Sequence, residues 1–267
     1  MGRRRKGRPV HGWLNLDKPV GPTSTQALAR VRRAFDARKA GHAGTLDPLA
    51  DGVLPIAFGE ATKTIPYMQN ARKTYRFTVR WGERRDSEDA AGALLARNDE
   101  RPDAAAIETA LPQFTGRIDQ VPPKFSAVKV DGARAYDLAR AGEGFDLAAK
   151  PVTLHSFRLI ERPDDDHAAF EAETGKGAYI RALARDLADQ LGVLGYVSAL
   201  TRLNVGGFAR GQAISLEKIV DFGDKARAEE VLLPVHAALD DIPAMAVTDD
   251  ETTRLRNGGA VSLLRMV

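Results

Sequence analysis

The stretch GHAGTLDPLADGVLPIAFGEATK, residues 41–63, sets one acid where chemistry could be done. Asp47 follows a glycine-hinged turn, stands directly before Pro48, and leads into an apolar run from Val53 to Phe58. A carboxylate held in such a place can serve as a covalent nucleophile or a general base. Burial alone disfavours its charged form, so a neighbouring cation is needed to keep it ionised. The segment TGKGAYIRALARDL offers Arg181, which directly follows Ile180 and so cannot share that residue's core-facing direction on a helix. Each residue also has a plainer reading, Asp47 as a turn aspartate facing water and Arg181 as a surface arginine. The residues alone go no further than an acid–base site beside a basic face.

Other chemistries fall away. The chain has no cysteine, which removes disulfides, thiolate nucleophiles and zinc–thiolate sites. Its five histidines (His11, His42, His155, His167, His236) are scattered, with no pair at ligand spacing, so no metal is expected. DSEDAAG, 86–92, lacks the alternation of a calcium loop and reads as a solvated turn. No phosphate-binding glycine loop, dinucleotide fingerprint or nucleophile elbow occurs.

The elements that must position these residues follow from periodicity. Val10–Leu16 reads as a short strand ending in a Pro/Gly turn. Thr23 and Gln26 have capping-box spacing and open a helix through about Asp36, with Leu28, Val31 and Phe35 on its apolar side. TYRFTVRW, 74–81, is the clearest strand: Tyr75, Phe77, Val79 and Trp81 alternate with a half-basic face. PDAAAIETALPQF reads as a short helix with Pro102 in its first turn. FSAVKVDGARAYDLARAGEG gives a strand, an Asp131-Gly132 turn and a helix ended by Gly142. PVTLHSFRLIE and AAFEAET read as two antiparallel strands. YIRALARDLADQLG is an amphipathic helix with Ile180, Leu183, Leu187 and Leu191 on one side and Gly192 as its stop. Strands and helices intermix without a βαβα rhythm, so a mixed α+β sheet is expected rather than a doubly wound one.

The 267 residues suffice for one large domain with a small appendage. Hydrophobic content of 43% and charged content of 28% describe an ordinary globular protein. No apolar run approaches the ~20 residues that span a bilayer, and the basic N-terminus lacks the apolar stretch of a signal peptide. A cytoplasmic protein is expected. The net charge of +3 hides an asymmetry. Residues 1–85 hold 18 Lys plus Arg against 6 Asp plus Glu, whereas the remainder is net acidic. Such one-sided charge suits a polyanion-binding face, although a solvated charged surface explains it equally well.

GWLNLDKPVGPTS, GHAGTLDPLADGVLPIAFGEATK, KTYRFTVRWG, QVPPKFSAVKVDGARAYDLARAGE, KGAYIRALARDLADQLG and LTRLNVGGF, in this order, closely resemble the bacterial TruB family of tRNA pseudouridine synthases. The resemblance runs from His11 to about Phe208. It implies the pseudouridine synthase fold, a mixed and mainly antiparallel sheet with flanking helices. It also implies an isomerase that converts the T-loop uridine of tRNA (position 55) to pseudouridine without cofactor or metal. By motif position it implies Asp47 as the catalytic residue, which engages the ribose while the base detaches, rotates and rejoins through carbon five. Tyr75 would stack on the flipped uracil and take the proton from carbon five, and Arg181 would pair with Asp47. His42 would fill the space the uridine leaves in the T-loop. Tyr179 and Leu200 would line the pocket, and Lys18-Pro19 would support the catalytic loop. Plainer roles stand beside these: Tyr75 and Leu200 as core, Tyr179 as structural, His42 as a cap near a helix.

Two departures from the family pattern are visible. Phe125 stands in PPKFSA where tyrosine is usual, and Ala178 replaces a common threonine beside Tyr179. The expected organisation is a basic tail (1–9), a catalytic domain (10–238) and an incomplete or reduced PUA-like segment (239–267). The partner expected is the T-arm of tRNA, met by a monomer. A rival of another class is an RNA-binding or RNA-folding module on the same fold with little catalysis; intact Asp47, Tyr75 and Arg181 favour the enzyme.

Overall fold

The computed structural model describes residues 7–130, 132–221, 229–240, 242–243 and 245–262. Arg3, Arg4, Arg5 and Lys6 of the basic tail, and Asp131 of the expected turn, lie outside the described residues. The strands are β1 (Gly12–Lys18), β2 (Ala40–His42), β3 (Ala50–Phe58), β4 (Lys73–Trp81), β5 (Glu83–Arg85), β6 (Leu94–Arg97) and β7 (Gly116–Gln120). They continue with β8 (Lys129–Val130), β9 (Ala133–Arg134), β10 (Lys150–Glu161), β11 (His167–Thr174), β12 (Gly195–Val205), β13 (Phe208–Ala209) and β14 (Ile214–Ser215). The helices used below are α1 (Ser24–Ala34), α2 (Ile65–Asn70), α3 (Ala104–Ala110), α4 (Ala135–Arg140) and α5 (Ile180–Gln190).

One mixed sheet carries the molecule, in the order β14-β1-β3-β12-β4-β11-β10-β7, with β2 on β3 and β13 on β12. The pairs β1–β14 and β3–β12 are parallel, and the other pairs in it are antiparallel. The expected mixed, mainly antiparallel α+β architecture is what forms.

Periodicity explains which faces are covered. On β1 and β3, Leu14, Leu16, Leu54, Ile56 and Phe58 enter the main core, while Trp13, Val53 and Ala57 enter a second cluster on the other face. A strand buried on both faces reads as a continuous apolar run, which accounts for Val53–Phe58. On β4 the pattern is strict: Tyr75, Phe77, Val79 and Trp81 are buried, and the opposite face carries Arg76, which with Arg158 pairs Glu171 in solvent. Helix α1 begins with the full capping box, Thr23 accepting from the Gln26 N–H and Gln26 accepting from the Thr23 N–H. Its Val31, with Phe35 at the C-cap, packs into the main core.

Several boundaries differ from expectation. The first strand runs Gly12–Lys18 rather than Val10–Leu16, because its ladder to β3 extends to the pair Lys18–Gly52. Asp103, not a proline-led turn, opens α3 by accepting from the Ala106 N–H, so Pro102 lies ahead of the cap. The stretch after Phe125 forms only two-residue strands, β8 and β9, before α4. The segment 86–92 is not a solvated turn: Ser87 and Asp89 are buried, with Ser87 Oγ donating to Asp89 Oδ1 at 2.6 Å. Among the described residues no helix is long and apolar enough to cross a membrane.

Candidate active site

Register builds the site before any side chain is considered. Strand pairing places Lys18, Gly52, Arg202, Tyr75 and Ala172 in one row across five strands, β1, β3, β12, β4 and β11. Paired residues of a sheet point to the same face, so this row borders the rows that carry Leu16, Leu54, Phe77 and Phe170. Leu16 and Leu54 lie on one side of it and Phe77 and Phe170 on the other, so core residues flank the site row on both sides.

Gly52 is required by this arrangement. Its φ of +101° suits glycine, and a Cβ there would stand 2.2 Å from the Arg202 carbonyl oxygen. The close approach brings the Arg202 backbone against β3, and its side chain reaches the loop that follows β2. Arg202 is 1% exposed, and its guanidinium donates to the carbonyls of Val53 (2.7 Å), Gly44 (3.1 Å) and Thr45 (3.4 Å). It has no ion-pair partner among the described residues. From the other side Ser24 Oγ donates to the Leu46 carbonyl at 3.0 Å and accepts from the Leu46 N–H at 2.8 Å. The Gly21 N–H donates to the Pro48 carbonyl at 2.8 Å. Lys18 Nζ, fully buried, holds the turn carrying Gly21 through the carbonyls of Pro19 (2.8 Å) and Pro22 (2.9 Å). Asp47 is thus presented by a loop fixed on both flanks.

Its partner comes from 134 residues away. Arg181, in the first turn of α5, donates from Nε to Asp47 Oδ2 at 2.8 Å, from Nη1 to the Ser87 carbonyl at 2.9 Å, and from Nη2 to the Phe125 carbonyl at 2.9 Å. Asp89 Oδ2 lies 3.7 Å from the same Nε. The arginine side chain is 4% exposed and the aspartate side chain 32%. Arg181 is therefore not a surface arginine. It leaves the core direction of Ile180 and turns into a cleft, where each of its three nitrogens meets an acceptor. Phe125 contributes its backbone, and its ring packs edge-on against Tyr136, so the absence of a hydroxyl there leaves the Arg181 contact intact.

Beside the pair opens a cavity of about 290 Å³, lined among others by Asp47, Tyr75, Tyr179, Arg181, Leu200 and Arg202. Five expected site residues meet here: Asp47, Tyr75, Arg181, Tyr179 and Leu200. Ala178 lines it too. Lys18 and His42 do not line it. Lys18 lies under the loop as described, and His42 is on β2, its Nδ1 buried without a hydrogen-bond partner.

The electrostatics are those of a cationic floor. Burial pushes the Lys18 ammonium down to about 8, against the pull of Asp51 and Asp47. Burial, then Arg202 and Lys176, push Lys73 down to about 8 as well; its Nζ donates to the carbonyls of Gln69 (2.9 Å) and Ala71 (2.6 Å). Burial, then Arg202, lower the His42 imidazole, which leaves it a neutral ring near pH 7. Burial raises the Tyr179 phenol. Such a pocket can bind a planar group between rings, set one carboxylate against it, and move a proton through a phenol.

Sequence reasoning missed Arg202, Ser24 and Asp89. Arg202 and Gly52 both sit in stretches that match the family motifs, yet only the parallel register of β3 and β12 shows that they touch.

The comparisons settle the family. Residues 32–180 match the TruB family pseudouridylate synthase N-terminal domain, and residues 181–240 match the tRNA pseudouridylate synthase B C-terminal domain. The chain belongs to the TruB family. A TruB-family chain is an enzyme, an isomerase that forms pseudouridine from uridine. Its relatives include proteins named tRNA pseudouridine synthase B. That of Caulobacter vibrioides is 53% identical over 99% of this chain and 85% of its own. That of Nitrobacter winogradskyi is 56% identical over 97% of this chain and 74% of its own. Among solved structures, a chain of a Cbf5-Nop10-Gar1 complex is 26% identical with a TM-score of 0.74, over 93% of this chain and 68% of that one. A chain of an H/ACA RNP bound to a substrate RNA containing 2′-deoxyuridine is 22% identical with a TM-score of 0.73, over 98% and 74%. The latter shares the fold. TruB membership rests on the sequence matches.

Proposed function

We propose that this TruB-family enzyme isomerises the T-loop uridine of tRNA, at position 55, and that Asp47 carries the reaction. The observation that supports this reading is the 2.8 Å pair of Asp47 with a buried Arg181 at the wall of a cavity that also holds Tyr75, Tyr179 and Leu200. A uridine in a folded loop must leave its stack, at a cost of a few kcal/mol. Aromatic stacking on the extruded base returns about 1–3 kcal/mol. Tyr75 would supply that ring from β4, with Tyr179 and Leu200 closing the pocket. Asp47 acts on the ribose, as a nucleophile or as a base, and both modes need it ionised, which Arg181 favours.

The bond between N1 of uracil and C1′ breaks, and the bond between C5 and C1′ forms. The proton on C5 passes to the Tyr75 oxygen as the phenol releases its own proton to solvent, and N1, which carried the sugar, gains a proton from solvent, so the product is an isomer of the substrate. His42, a neutral ring, would fill the space left in the T-loop. Lys18 would act through the loop it supports. The basic residues of α1 and beyond (Arg30, Arg32, Arg33, Arg38, Lys39) are exposed, which suits phosphate contacts that recognise RNA shape. A binding module without catalysis would have no need of a half-exposed carboxylate held against a buried guanidinium at the wall of the cavity.

The test incubates unmodified tRNA transcripts with the protein and maps pseudouridine by carbodiimide labelling and reverse transcription. A single stop at the T-loop uridine, absent when that uridine is replaced by cytidine, is expected. Modification elsewhere with the T-loop untouched would overturn the assignment of the substrate position.

A further inference from the structure

Gln120, the last residue of β7, is 1% exposed and uses both ends of its amide on one residue. Its Oε1 accepts from the Tyr179 N–H at 2.8 Å, and its Nε2 donates to the Tyr179 carbonyl at 3.1 Å. The two residues are 59 positions apart. Tyr179 is the N-cap of α5, with φ −110° and ψ 118°, and its side chain makes no capping hydrogen bond. Its carbonyl already accepts the first helical bond, from the Leu183 N–H at 3.0 Å. A side chain on another strand thus sets the conformation of the residue from which α5 springs.

That residue decides two directions in the cavity. The Tyr179 ring lines it, and Arg181, two positions on, reaches Asp47. The chain leaving Gln120 returns to the same helix, with the Val121 carbonyl accepting from Arg185 Nη2 at 2.8 Å and the Phe125 carbonyl from Arg181 Nη2 at 2.9 Å. Segment 120–125 therefore grips the start of α5 by its backbone and by two of its arginines. A clamp with one donor and one acceptor at this reach needs an uncharged amide of glutamine length. Asparagine is one methylene short, and an ionised glutamate has no donor.

We propose that Gln120 is a positioning residue for the isomerisation, holding Tyr179 and Arg181 in the geometry that Asp47 requires. The proposal rests on the assignment of Asp47 as the catalytic group. Displacing catalytic groups by ~1 Å can cost ~10²-fold in rate, so loss of the clamp should lower the chemical step more than it lowers RNA affinity.

Two variants test this, each assayed in single turnover on T-arm RNA well below its melting temperature. Gln120→Met keeps the volume and loses both hydrogen bonds; its rate should fall ~10–10²-fold at every pH, with RNA affinity within about two-fold of wild type. Gln120→Glu keeps the shape. Ionised, it presents only acceptors to the Tyr179 carbonyl; protonated, it regains the donor and acceptor of glutamine. Burial raises a carboxyl pKa, so its rate relative to wild type should recover as pH falls from about 8 to about 5.5. A role confined to stability would lower the melting temperature of both variants without giving the glutamate variant this pH-dependent recovery. Amide hydrogen exchange over 179–183, which needs no substrate, should quicken in Gln120→Met. Unchanged exchange together with a wild-type rate would overturn the clamp. Quickened exchange beside a wild-type protein inactive on the RNA would instead refute the substrate reading and leave the clamp standing.

Discussion

Replacing Arg202 by methionine removes the guanidinium under the loop that presents Asp47 while keeping most of its volume. Of its three hydrogen bonds, those to Val53 (2.7 Å) and Gly44 (3.1 Å) are well formed, and that to Thr45 (3.4 Å) is at the limit of usefulness. The buried Val53 carbonyl left without this donor costs about 1–3 kcal/mol, and the half-buried Gly44 carbonyl less. Part of this is returned, because a buried charge with no carboxylate partner no longer has to be stripped of water. A net loss of about 1–4 kcal/mol is expected, within the ~5–15 kcal/mol that a domain commonly holds. The rate should suffer more, since the loop that presents Asp47 is released on its Gly44–Thr45 side, and ~10²-fold is expected. Arg202→Lys restores a charge on one nitrogen, which cannot span the carbonyls of Val53 and Gly44 together, so it should not recover the rate. Thermal denaturation and single-turnover pseudouridine formation measure the two effects separately. A folded Arg202→Met protein with a wild-type single-turnover rate would refute the claim that this arginine places Asp47.

Tyr75→Phe keeps the ring and removes the hydroxyl; it should bind T-arm RNA nearly normally and lose ~10²–10⁴-fold in single turnover, whereas Tyr75→Leu should also weaken binding by about 1–3 kcal/mol of lost stacking. Full activity of the phenylalanine variant would leave the tyrosine only its stacking role. Lys18 and Lys73 are both lowered to about 8, so each is charged below that pH and neutral above it. Turnover should decline as pH rises through about 8, and Lys73→Met should remove part of that decline. Stability should move the other way: confining these charges costs the fold below about 8, and the cost is relieved between there and the ordinary lysine value of 10.5. Melting temperatures of wild type and Lys73→Met across this range check the sign, and a stability contribution from Lys73 that fell above pH 8 would contradict it.

What the sequence made legible was local. The Thr23–Gln26 capping box and the alternation of β4 follow from spacing, and both stand in the structure. Asp47 and Arg181 were visible as a carboxylate and a cation without a reason to meet; the family motifs supplied the reason, and the 134-residue separation explains why spacing could not. The misreadings have the same origin. DSEDAAG looks solvated because its residues are polar, yet Arg181 and α5 cover it, and Asp89 ends 3.7 Å from the guanidinium. Arg202, Gly52 and Gln120 look unremarkable in their own segments. Their roles arise from strand register and from one side chain reading a distant backbone, and neither leaves a periodic trace.

The central claim is that the carboxylate of Asp47 does the chemistry on the T-loop uridine. Asp47→Asn is nearly isosteric and keeps an oxygen for Arg181, so folding and T-arm binding should stay within a few-fold of wild type. The quantity to measure is pseudouridine formed per enzyme on T-arm RNA at saturating protein, by labelling and reverse transcription, for wild type and Asp47→Asn side by side. Wild type should give a full stop at the T-loop uridine and the variant none, because the lost group acts on the reacting sugar and not on remote contacts. Measurable turnover by well-folded, RNA-binding Asp47→Asn protein would contradict it.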